Sequence, residues 1–522
     1  MTKNSREIKL EKSYHRYIYT LLSTFGRAAF AVVTSIMVPN ALGPKALGTI
    51  AFGQIIVQNI RGLFDFNMGQ TFFNLSASRR QSGDLTRLFM KIIIFQIIIS
   101  LIILILLSYT KIGNEIIQGT PFLILLLLLG IEWVLYVSGL SNQLGDSKGI
   151  SKWPQIIILI TNALMATTLI ILVFMKSLTL FTYLTTLLLF GLLNLFLIIA
   201  YLLRTSFDAI WMRVTRENLN NFLKSVLKIS IPLTIIGYYG MGIEFAERFF
   251  IQYKFGPEEQ SYFYVASKWA SIIILFSTSS LQIFWQRLVE SIGSGDIKKA
   301  GEIYLRLDGF LFYFTLISAL AWSFMGKEIL SLLLGRDFAE AGKILMVMAF
   351  YPVSQVFGQM GSAIAIASGR TKEFAIITII TATIGLIISY ILLVPKNSYI
   401  PGLGLGSFGL AIKTAAFGLL AVQPITFLNC RYLSISYGKL IFKKISILLS
   451  LAVILIILTE FGKLFHSMIP VIVESIARAT IFLSLAVILL IVKPEFCGVN
   501  ENDIERLKNN PIFLRISNLY KK

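Results

Sequence analysis

The stretch NALGPKALGTIAFGQII, residues 40–56, and its counterpart FGPEEQSYFYVASKW, residues 255–269, decide the fold of this chain. In each stretch a Gly-Pro pair, Gly43-Pro44 or Gly256-Pro257, ends one long apolar run and opens the next. Glycine accepts the backbone conformations that end a helix, and proline suits the first turn of the next one. The two stretches therefore predict a duplicated helical elbow.

Three further pairs of segments recur in the same order along the chain and at nearly the same spacing as the elbows. The pairs are 70–73 with 282–285, 82–84 with 294–296, and 145–148 with 369–372. The last pair is spaced slightly more widely, as expected if one outer loop of the second copy is longer. Such regular recurrence indicates a repeated unit of six spans, which keeps the same membrane orientation in both copies. Parallel repeats about an axis along the membrane normal occur in secondary transporters.

The apolar content predicts a polytopic membrane protein. The 522 residues are 56% hydrophobic and only 14% charged, more apolar surface than a soluble domain can bury. Runs long enough for a span of ~20 residues recur throughout, and hydrocarbon requires them to be helices. About fourteen spans are predicted, at 17–39, 46–68, 88–108, 120–141, 154–175, 177–202, 229–253, 260–285, 303–325, 341–367, 373–394, 403–428, 441–460 and 467–492.

Basic residues set the predicted topology. Most of the 47 lysines and arginines fall in alternate connections, which places both termini in the cytoplasm by the positive-inside rule. The predicted fold is all-α, with two parallel six-helix lobes and two C-terminal helices. Its parts are an N-lobe at 1–202, an amphipathic cytoplasmic linker at 203–228, a C-lobe at 229–430, two helices at 431–493 and a cytoplasmic tail at 494–522.

Several functional classes are disfavoured by the sequence. The net charge of +20 is spread over many loops, so we expect no nucleic-acid partner. Two cysteines and two histidines predict no metal site and no histidine-based catalysis. The first residues lack the apolar core and cleavage site of a signal peptide. We find no P-loop, expect no cofactor and no catalytic residue, and predict that the protein is not an enzyme.

Four glycine-rich stretches carry a resemblance to a known family. They are VPNALGPKALGTIAFGQ at 38–54, FGPEEQSYFYVASKW at 255–269, LLLGRDFAEAGKIL at 332–345 and PGLGLGSFGLAIKTAAFG at 401–418. Over roughly residues 15–430 the chain resembles the polysaccharide flippase family of the multidrug/oligosaccharidyl-lipid/polysaccharide exporter superfamily. These motifs belong to the fold rather than to a substrate site.

The resemblance implies an inner-membrane flippase. Its substrate would be an undecaprenyl-diphosphate-linked oligosaccharide repeat unit, of an O-antigen or related surface polysaccharide. The unit would move from the inner to the outer leaflet by alternating access, without ATP hydrolysis. The implied partners are this lipid-linked glycan, membrane lipids, and glycan polymerases or glycosyltransferases of the same assembly.

Cations within the predicted spans are candidates for substrate binding, because a charge at the bilayer centre costs ~2.5–3.5 kcal/mol on insertion scales and needs a cavity or a partner. The candidates are Arg27, Arg61, Arg248, Lys268 and Lys413. They are expected to form a cationic cavity that neutralises the diphosphate. Arg61 and Arg248 each have a carboxylate four residues away, so a structural ion pair is the alternative for both.

Carboxylates within the spans are candidates for ion coupling, with H⁺ or Na⁺ as the coupling ion. They are Asp65, Glu132 and Glu244. Glu132 has no basic residue three or four positions away on its own helix, and a counter-ion for Arg27 is its alternative role. Interhelical salt bridges to Glu132 or Glu244 are likewise the alternative for Arg27, Lys268 and Lys413.

Two other functions stay open. A drug or cation antiporter of the same superfamily would favour an acidic, aromatic cavity. Three mid-span cations with no carboxylate three or four positions away, Arg27, Lys268 and Lys413, oppose it. A membrane glycan polymerase or ligase would need a large outer loop with polar catalytic residues, whereas the predicted outer loops are short.

Overall fold

A computed structural model describes residues 3–65, 83–147, 152–210, 216–463 and 471–498, and within these ranges the chain is helical and has no strand. The α-helices, numbered in chain order, are α1 (Lys3–Gly62), α2 (Gly83–Tyr109), α3 (Lys111–Ile117), α4 (Phe122–Ser147), α5 (Lys152–Phe174), α6 (Leu180–Ile210), α7 (Arg216–Phe255), α8 (Pro257–Gly293), α9 (Ile297–Leu334), α10 (Ala339–Met348), α11 (Tyr351–Ala367), α12 (Thr371–Leu393), α13 (Gly406–Ile412), α14 (Gly418–Ala421), α15 (Gln423–Tyr432), α16 (Tyr437–Lys463) and α17 (Val471–Val492).

The predicted spans fall on these helices wherever their residues are described. In that part of the chain, ten helices are long and apolar enough to cross a membrane, and eleven if the bent pair Arg336–Met348 and Tyr351–Ala367 is one span. The segment Ser23–Gly62 counts once among the ten, although it contains most of the first two predicted spans. The prediction of an all-α polytopic membrane protein is confirmed.

The two Gly-Pro elbows have the same backbone geometry. Gly43 interrupts α1 with a φ of 76°, and Gly256 separates α7 from α8 with a φ of 86°. Both angles lie in the region that favours glycine. In each copy the proline that follows begins the next helical segment, as the repeated motif predicts.

The chain divides into two compact units, Met1–Ser261 and Tyr262–Lys522. The boundary lies just after the second elbow, whereas the sequence-based boundary lies in the linker at 203–228. Residues 203–210 end α6 and residues 216–228 begin α7, and 211–215 lie outside the described residues. The lobe and linker boundaries stay predictions, as does the tail beyond residue 498.

The core of the first unit joins its helices through large apolar side chains. Phe52 of α1, Leu104 of α2, Leu125 of α4 and Leu184 of α6 are fully buried in one cluster. Phe249 of α7 packs against the same cluster. This packing holds α1, α4 and α7 together, and the candidate site lies where these three helices meet.

The second unit contains a buried ion pair between α9 and α16. Asp308 is 1% exposed, and the Lys444 ammonium lies 2.8 Å from its Oδ1. The same ammonium lies 3.6 Å from the centroid of the Phe357 ring. A carboxylate so deeply buried needs such a partner, so the pair fixes α16 against α9.

The segment after α17 docks on the same part of α9. A 3₁₀ turn at Pro494–Cys497 is followed by Gly498, and a Cβ at Gly309 would lie 2.8 Å from the Gly498 nitrogen. Only glycine allows so close a backbone approach. Cys497 is buried by this contact, and its burial raises the pKa of its thiol to about 11.

Candidate binding site

A charged cluster forms in the first unit where the last turn of α1 meets α4. Arg61 lies in that last turn, and Asp65 lies in the turn that follows. The i, i+4 spacing brings these two side chains together, with Arg61 Nη1 3.4 Å from Asp65 Oδ2. Glu132, in the middle of α4, accepts a hydrogen bond of 2.9 Å from Arg61 Nε. One guanidinium thus binds two carboxylates.

Aromatic side chains complete this cluster. The Tyr136 hydroxyl donates a hydrogen bond of 2.6 Å to Asp65 Oδ1, and its ring centroid lies 4.6 Å from Arg61 Cζ. Trp133 packs edge-on against Tyr136, with centroids 5.6 Å apart. Tyr136 therefore supports both the cation, through its ring face, and the carboxylate, through its hydroxyl. The orientation of Arg61 is fixed from three sides.

A cavity of about 380 Å³ opens on this cluster. Its walls come from α1, α4 and α7 and are formed by Ile55, Gln58, Asn59, Arg61, Gly62, Asp65, Glu132, Thr234, Gly237, Tyr238, Met241 and Glu244. Among these lining residues the ionisable acids and bases are one arginine and three carboxylates, for a formal charge of −2. The cavity is suited to bind a cation or protons.

α7 contributes one wall of the cavity and contacts the end of α1. The Tyr238 hydroxyl donates a hydrogen bond of 2.5 Å to the backbone carbonyl of Leu63. Met241 packs against Gly62, where a Cβ would lie 2.3 Å from the Met241 methyl. These contacts tie α7 to the turn that carries Asp65. A movement of α7 would therefore alter the surroundings of the charged cluster.

The other candidate cations of the first unit, Arg27 and Arg248, are not among the residues that line this cavity. Arg27 is half-buried on α1, and its guanidinium donates hydrogen bonds of 3.3 Å to the Ser23 carbonyl and to Thr24 Oγ1. Arg248 is half-buried on α7, one turn after Glu244. Glu132 lies beside Arg61, so Arg61 is the cation that the structure gives it as a partner.

The two lysine candidates lie in the second unit. The Lys268 ammonium is 5.3 Å from the Tyr264 ring centroid. Lys413 begins a π-helical turn, Lys413–Phe417, between α13 and α14, and π-helical turns are common at functional sites. Its side chain packs on Gly385 of α12. A cationic cavity that unites these lysines with the arginines stays a prediction.

Tyr136 is a member of the charged cluster that the sequence analysis did not single out. It stands four residues after Glu132, hence on the same face of α4, and this spacing is the signal that was available. The pairing of Arg61 with Glu132 joins residues 71 positions apart, and no local pattern reports such a contact.

Comparison with known proteins identifies the fold. No family model matches the chain, and none of the curated proteins matches it in sequence. Among solved structures, the lipid II flippase MurJ in an inward closed conformation superposes with a TM-score of 0.64 and 15% identity, over 92% of this chain and 100% of MurJ.

Two further solved structures, both described as transporters of the MOP superfamily, have a similar fold. An inward-facing multidrug resistance MATE family transporter gives a TM-score of 0.59 and 15% identity, over 80% of this chain and 98% of the transporter. A transporter from Pyrococcus furiosus is described as having a binding pocket of reversed polarity. It superposes with a TM-score of 0.53 and 15% identity, over 80% of this chain and 94% of the transporter. The chain therefore has the fold of these flippase and transporter structures.

Proposed function

We propose that the protein is a flippase that moves a polyprenyl-diphosphate-linked oligosaccharide across the cytoplasmic membrane, from the inner to the outer leaflet. The observation that carries this proposal is the extent of the structural likeness. The lipid II flippase is matched over 92% of the chain with a TM-score of 0.64. The MATE transporter is matched over 80% with a TM-score of 0.59. The likeness to the flippase is thus both closer and more extensive, which favours a lipid-linked substrate.

The proposed binding chemistry rests on cations within spans. A diphosphate leaves water only where cations replace its hydration, and Arg27, Lys268 and Lys413 are the candidates for that role. The prenyl chain would stay in lipid while the sugar-diphosphate head passes through the protein. Two parallel repeats that rock against each other provide alternating access of this kind.

The charged cluster supplies a route for ion coupling. Arg61 is held by Asp65 and Glu132, so its charge is compensated while both carboxylates are ionised. Protonation of Glu132, or binding of Na⁺ between the carboxylates and Glu244, would weaken this hold and free the guanidinium to bind phosphate. The coupling ion would thereby control when the first unit presents a cation to substrate.

A second candidate function is supported by the charge of the cavity. With one arginine, three carboxylates and Tyr238, its lining is acidic and partly aromatic. Such a lining suits an organic cation, so a drug or cation antiporter is the alternative. The two functions differ in the sign of the charge on their substrates.

Reconstitution separates the two functions. Proteoliposomes that carry a fluorescent undecaprenyl-diphosphate oligosaccharide in the inner leaflet should show accelerated exposure at the outer leaflet, measured by quenching with an added reductant. An imposed proton or sodium gradient should change this rate. Uptake of a fluorescent organic cation without movement of the labelled lipid would overturn the flippase proposal and support the antiporter.

Localisation and partners are part of the same proposal. Both termini would lie in the cytoplasm, and the protein would work beside the glycosyltransferases and polymerase that build and consume the lipid-linked unit. The substrate must be supplied at the inner leaflet in two stages. Transfer of a glycosyl-1-phosphate from a nucleotide sugar to a polyprenyl phosphate forms the diphosphate and releases a nucleoside monophosphate, and glycosyl transfers then complete the oligosaccharide. It must be consumed at the outer leaflet by transfer of the glycan.

A further inference from the structure

A second cavity, of about 490 Å³, lies in the second unit, away from the charged cluster described above. The beginning of α9 forms one wall, and the connection from α15 to α16 with the first turns of α16 forms the other. The lining residues are Glu302, Leu305, Arg306, Ser434, Ile435, Ser436, Lys439, Leu440, Lys443 and Gly498. By the predicted topology, this basal cavity opens at the cytoplasmic surface.

The lining of the basal cavity is basic. Its ionisable residues are Arg306, Lys439, Lys443 and Glu302, three cations and one carboxylate, for a formal charge of +2. Lys439 and Lys443 are four residues apart, so they lie on one face of α16. The cavity therefore favours an anion, of a size that fits within its volume of about 490 Å³.

The first turn of α16 adds to this attraction. Ser436 precedes the helix, and Lys439 and Leu440 belong to its first turn. The first N–H groups of a helix have no partner within it and carry a partial positive charge, which favours anions and phosphate in particular. Backbone and side chains thus supply positive charge from the same wall.

Close backbone contacts fix the walls of the cavity. A Cβ at Gly301 would lie 3.1 Å from the Leu433 carbonyl oxygen, and a Cβ at Gly498 would lie 2.8 Å from Arg306 Cα. The Lys444–Asp308 pair joins the same two helices close to Lys443 and Arg306 in the sequence. Preformed walls reduce the cost of binding, because little has to be ordered when a ligand enters.

Apolar side chains beside the cavity point to a lipid as the source of the anion. On α16, Phe442 is 75% exposed and Ile445 is 49% exposed, next to Lys443. Leu305, in the cavity wall, is also exposed. A headgroup in the cavity would leave its acyl chains along this apolar strip, and a soluble phosphate would not use the strip.

We propose that this basal cavity binds the phosphate of an acidic phospholipid from the inner leaflet, with Arg306, Lys439 and Lys443 as its ligands. Basic recesses between helices at the cytoplasmic side are suited to acidic headgroups, and each lysine near the surface contributes substantially to attraction. The site is separate from the proposed transport route and does not depend on what the protein transports.

Native mass spectrometry of the full-length protein in detergent tests the proposal. The protein is titrated with phosphatidylglycerol, with phosphatidylethanolamine, and with inorganic phosphate. We expect saturable binding of phosphatidylglycerol, and a loss of affinity of roughly thirtyfold in the double variant Lys439→Gln/Lys443→Gln. The matched control Lys298→Gln/Lys299→Gln removes the same charge from exposed lysines outside the cavity and should keep its affinity.

The other outcomes are decisive as well. Lys439→Arg/Lys443→Arg keeps the charge and should bind phosphatidylglycerol like the parent, which separates lost charge from a folding defect. Equal losses in both glutamine variants would mean diffuse attraction and would overturn the site. Inorganic phosphate that binds in the same variant-sensitive way, without any gain from the lipid, would overturn the lipid as its source.

Discussion

At the scale of single residues, the charge around Arg61 decides what this side chain can do. Its guanidinium contacts Asp65 and Glu132, and the ring of Tyr136 covers it. An arginine in this position is held in place before any substrate arrives. The role of Arg61 in transport then depends on whether Asp65 and Glu132 are ionised, protonated or bound to another cation.

Removal of the Arg61 charge should destabilise the protein. Arg61→Met would leave Asp65 and Glu132 close together without their cation, and the loss of one partner from such a cluster costs about 3 kcal/mol. We expect a lower melting temperature in detergent. The variant Arg61→Met/Asp65→Asn/Glu132→Gln, which removes both carboxylate charges as well, should recover most of the loss. A triple variant no more stable than Arg61→Met would show that the carboxylates do not need this cation.

Transport should depend on the mid-span cations rather than on surface charge. A charged hydrogen bond to phosphate is worth about 1.5–3 kcal/mol, so Arg27→Ala and Lys268→Ala should each slow the flipping of a lipid-linked glycan by at least tenfold. Arg27→Lys should keep part of the rate. Lys396→Ala, which removes an exposed lysine between α12 and α13, should leave the rate unchanged.

The comparison is made at equal amounts of folded protein, judged by gel filtration. Normal flipping by Arg27→Ala and Lys268→Ala would remove the cationic cavity from the proposal. Loss of flipping in Lys396→Ala as well would indicate a general effect of net charge.

Local sequence patterns explain part of this site and miss the rest. The i, i+4 rule predicts that Arg61 can pair with Asp65, because both lie in one stretch of helix. The same rule finds no cation for Glu132 on α4, and the sequence analysis therefore left a counter-ion for Arg27 as its alternative role. The observed partner, Arg61, comes from packing between α1 and α4, which depends on the tertiary fold.

At the scale of elements, the two elbows depend on glycine for more than their backbone angles. Gly48, on the helix after the first elbow, lies against the second elbow, and a Cβ there would be 1.7 Å from the Pro257 carbonyl oxygen. Both residues belong to the first unit. The glycines of ALGPKALG therefore have two tasks, a turn at Gly43 and a close helix contact at Gly48.

Gly48→Ala should be strongly destabilising. The backbone of Pro257 cannot move away as a flexible side chain would. We therefore expect the free energy of unfolding to fall by about 3 kcal/mol, the upper end of the usual range for overpacking substitutions. The matched control is Gly139→Ala, also within a helix, where a Cβ meets nothing within 4 Å. This control should be neutral or more stable by up to ~1 kcal/mol. Similar melting temperatures for both variants would contradict the contact.

The ion pair between α9 and α16 should hold the C-terminal helices in place. Lys444→Met would leave Asp308 buried and unpaired, at a cost of about 3–5 kcal/mol, whereas Lys444→Met/Asp308→Asn should regain most of it. Thermal melting measures the loss. Lys298→Met, at an exposed position of α9 outside the basal cavity, is the control. A Lys444→Met variant as stable as this control would show that the pair is dispensable.

Cys497 provides a chemical readout of the same docking. In a Cys430→Ala background it is the one remaining cysteine, it is buried, and its pKa is about 11. The thiolate is the reactive form, so alkylation near neutral pH should be slow and should rise with pH well beyond the usual range for cysteine. Lys444→Met should accelerate the alkylation of Cys497, because the segment after α17 would be held less firmly against α9. An unchanged alkylation rate would show that the Lys444–Asp308 pair does not hold this segment in place.

At the scale of the whole molecule, length and apolarity made the helices predictable. Each run of about 20 apolar residues has one structure open to it in hydrocarbon, so the spans follow from the sequence. The boundary between the compact units does not follow from the sequence. α7 groups with the first unit through Tyr238, Met241 and Phe249, and such contacts leave no periodic signal.

The membrane topology is the last property that the chain's charges predict. Because lysine and arginine are retained on the cytoplasmic side, the connection between α8 and α9 should lie inside and the connection between α12 and α13 outside. In a background of Cys430→Ala/Cys497→Ala, single cysteines at Ser294 and Lys396 mark these two connections, and both positions are exposed. A maleimide that does not cross the cytoplasmic membrane is added to cells in which it can reach the outer face of that membrane. It should label Lys396→Cys directly, and it should label Ser294→Cys only after the cytoplasmic membrane is permeabilised. The reverse labelling pattern would mean that the protein has the opposite orientation in the membrane. The basal cavity would then lie at the outer surface, and the proposed binding of an inner-leaflet phospholipid would be contradicted.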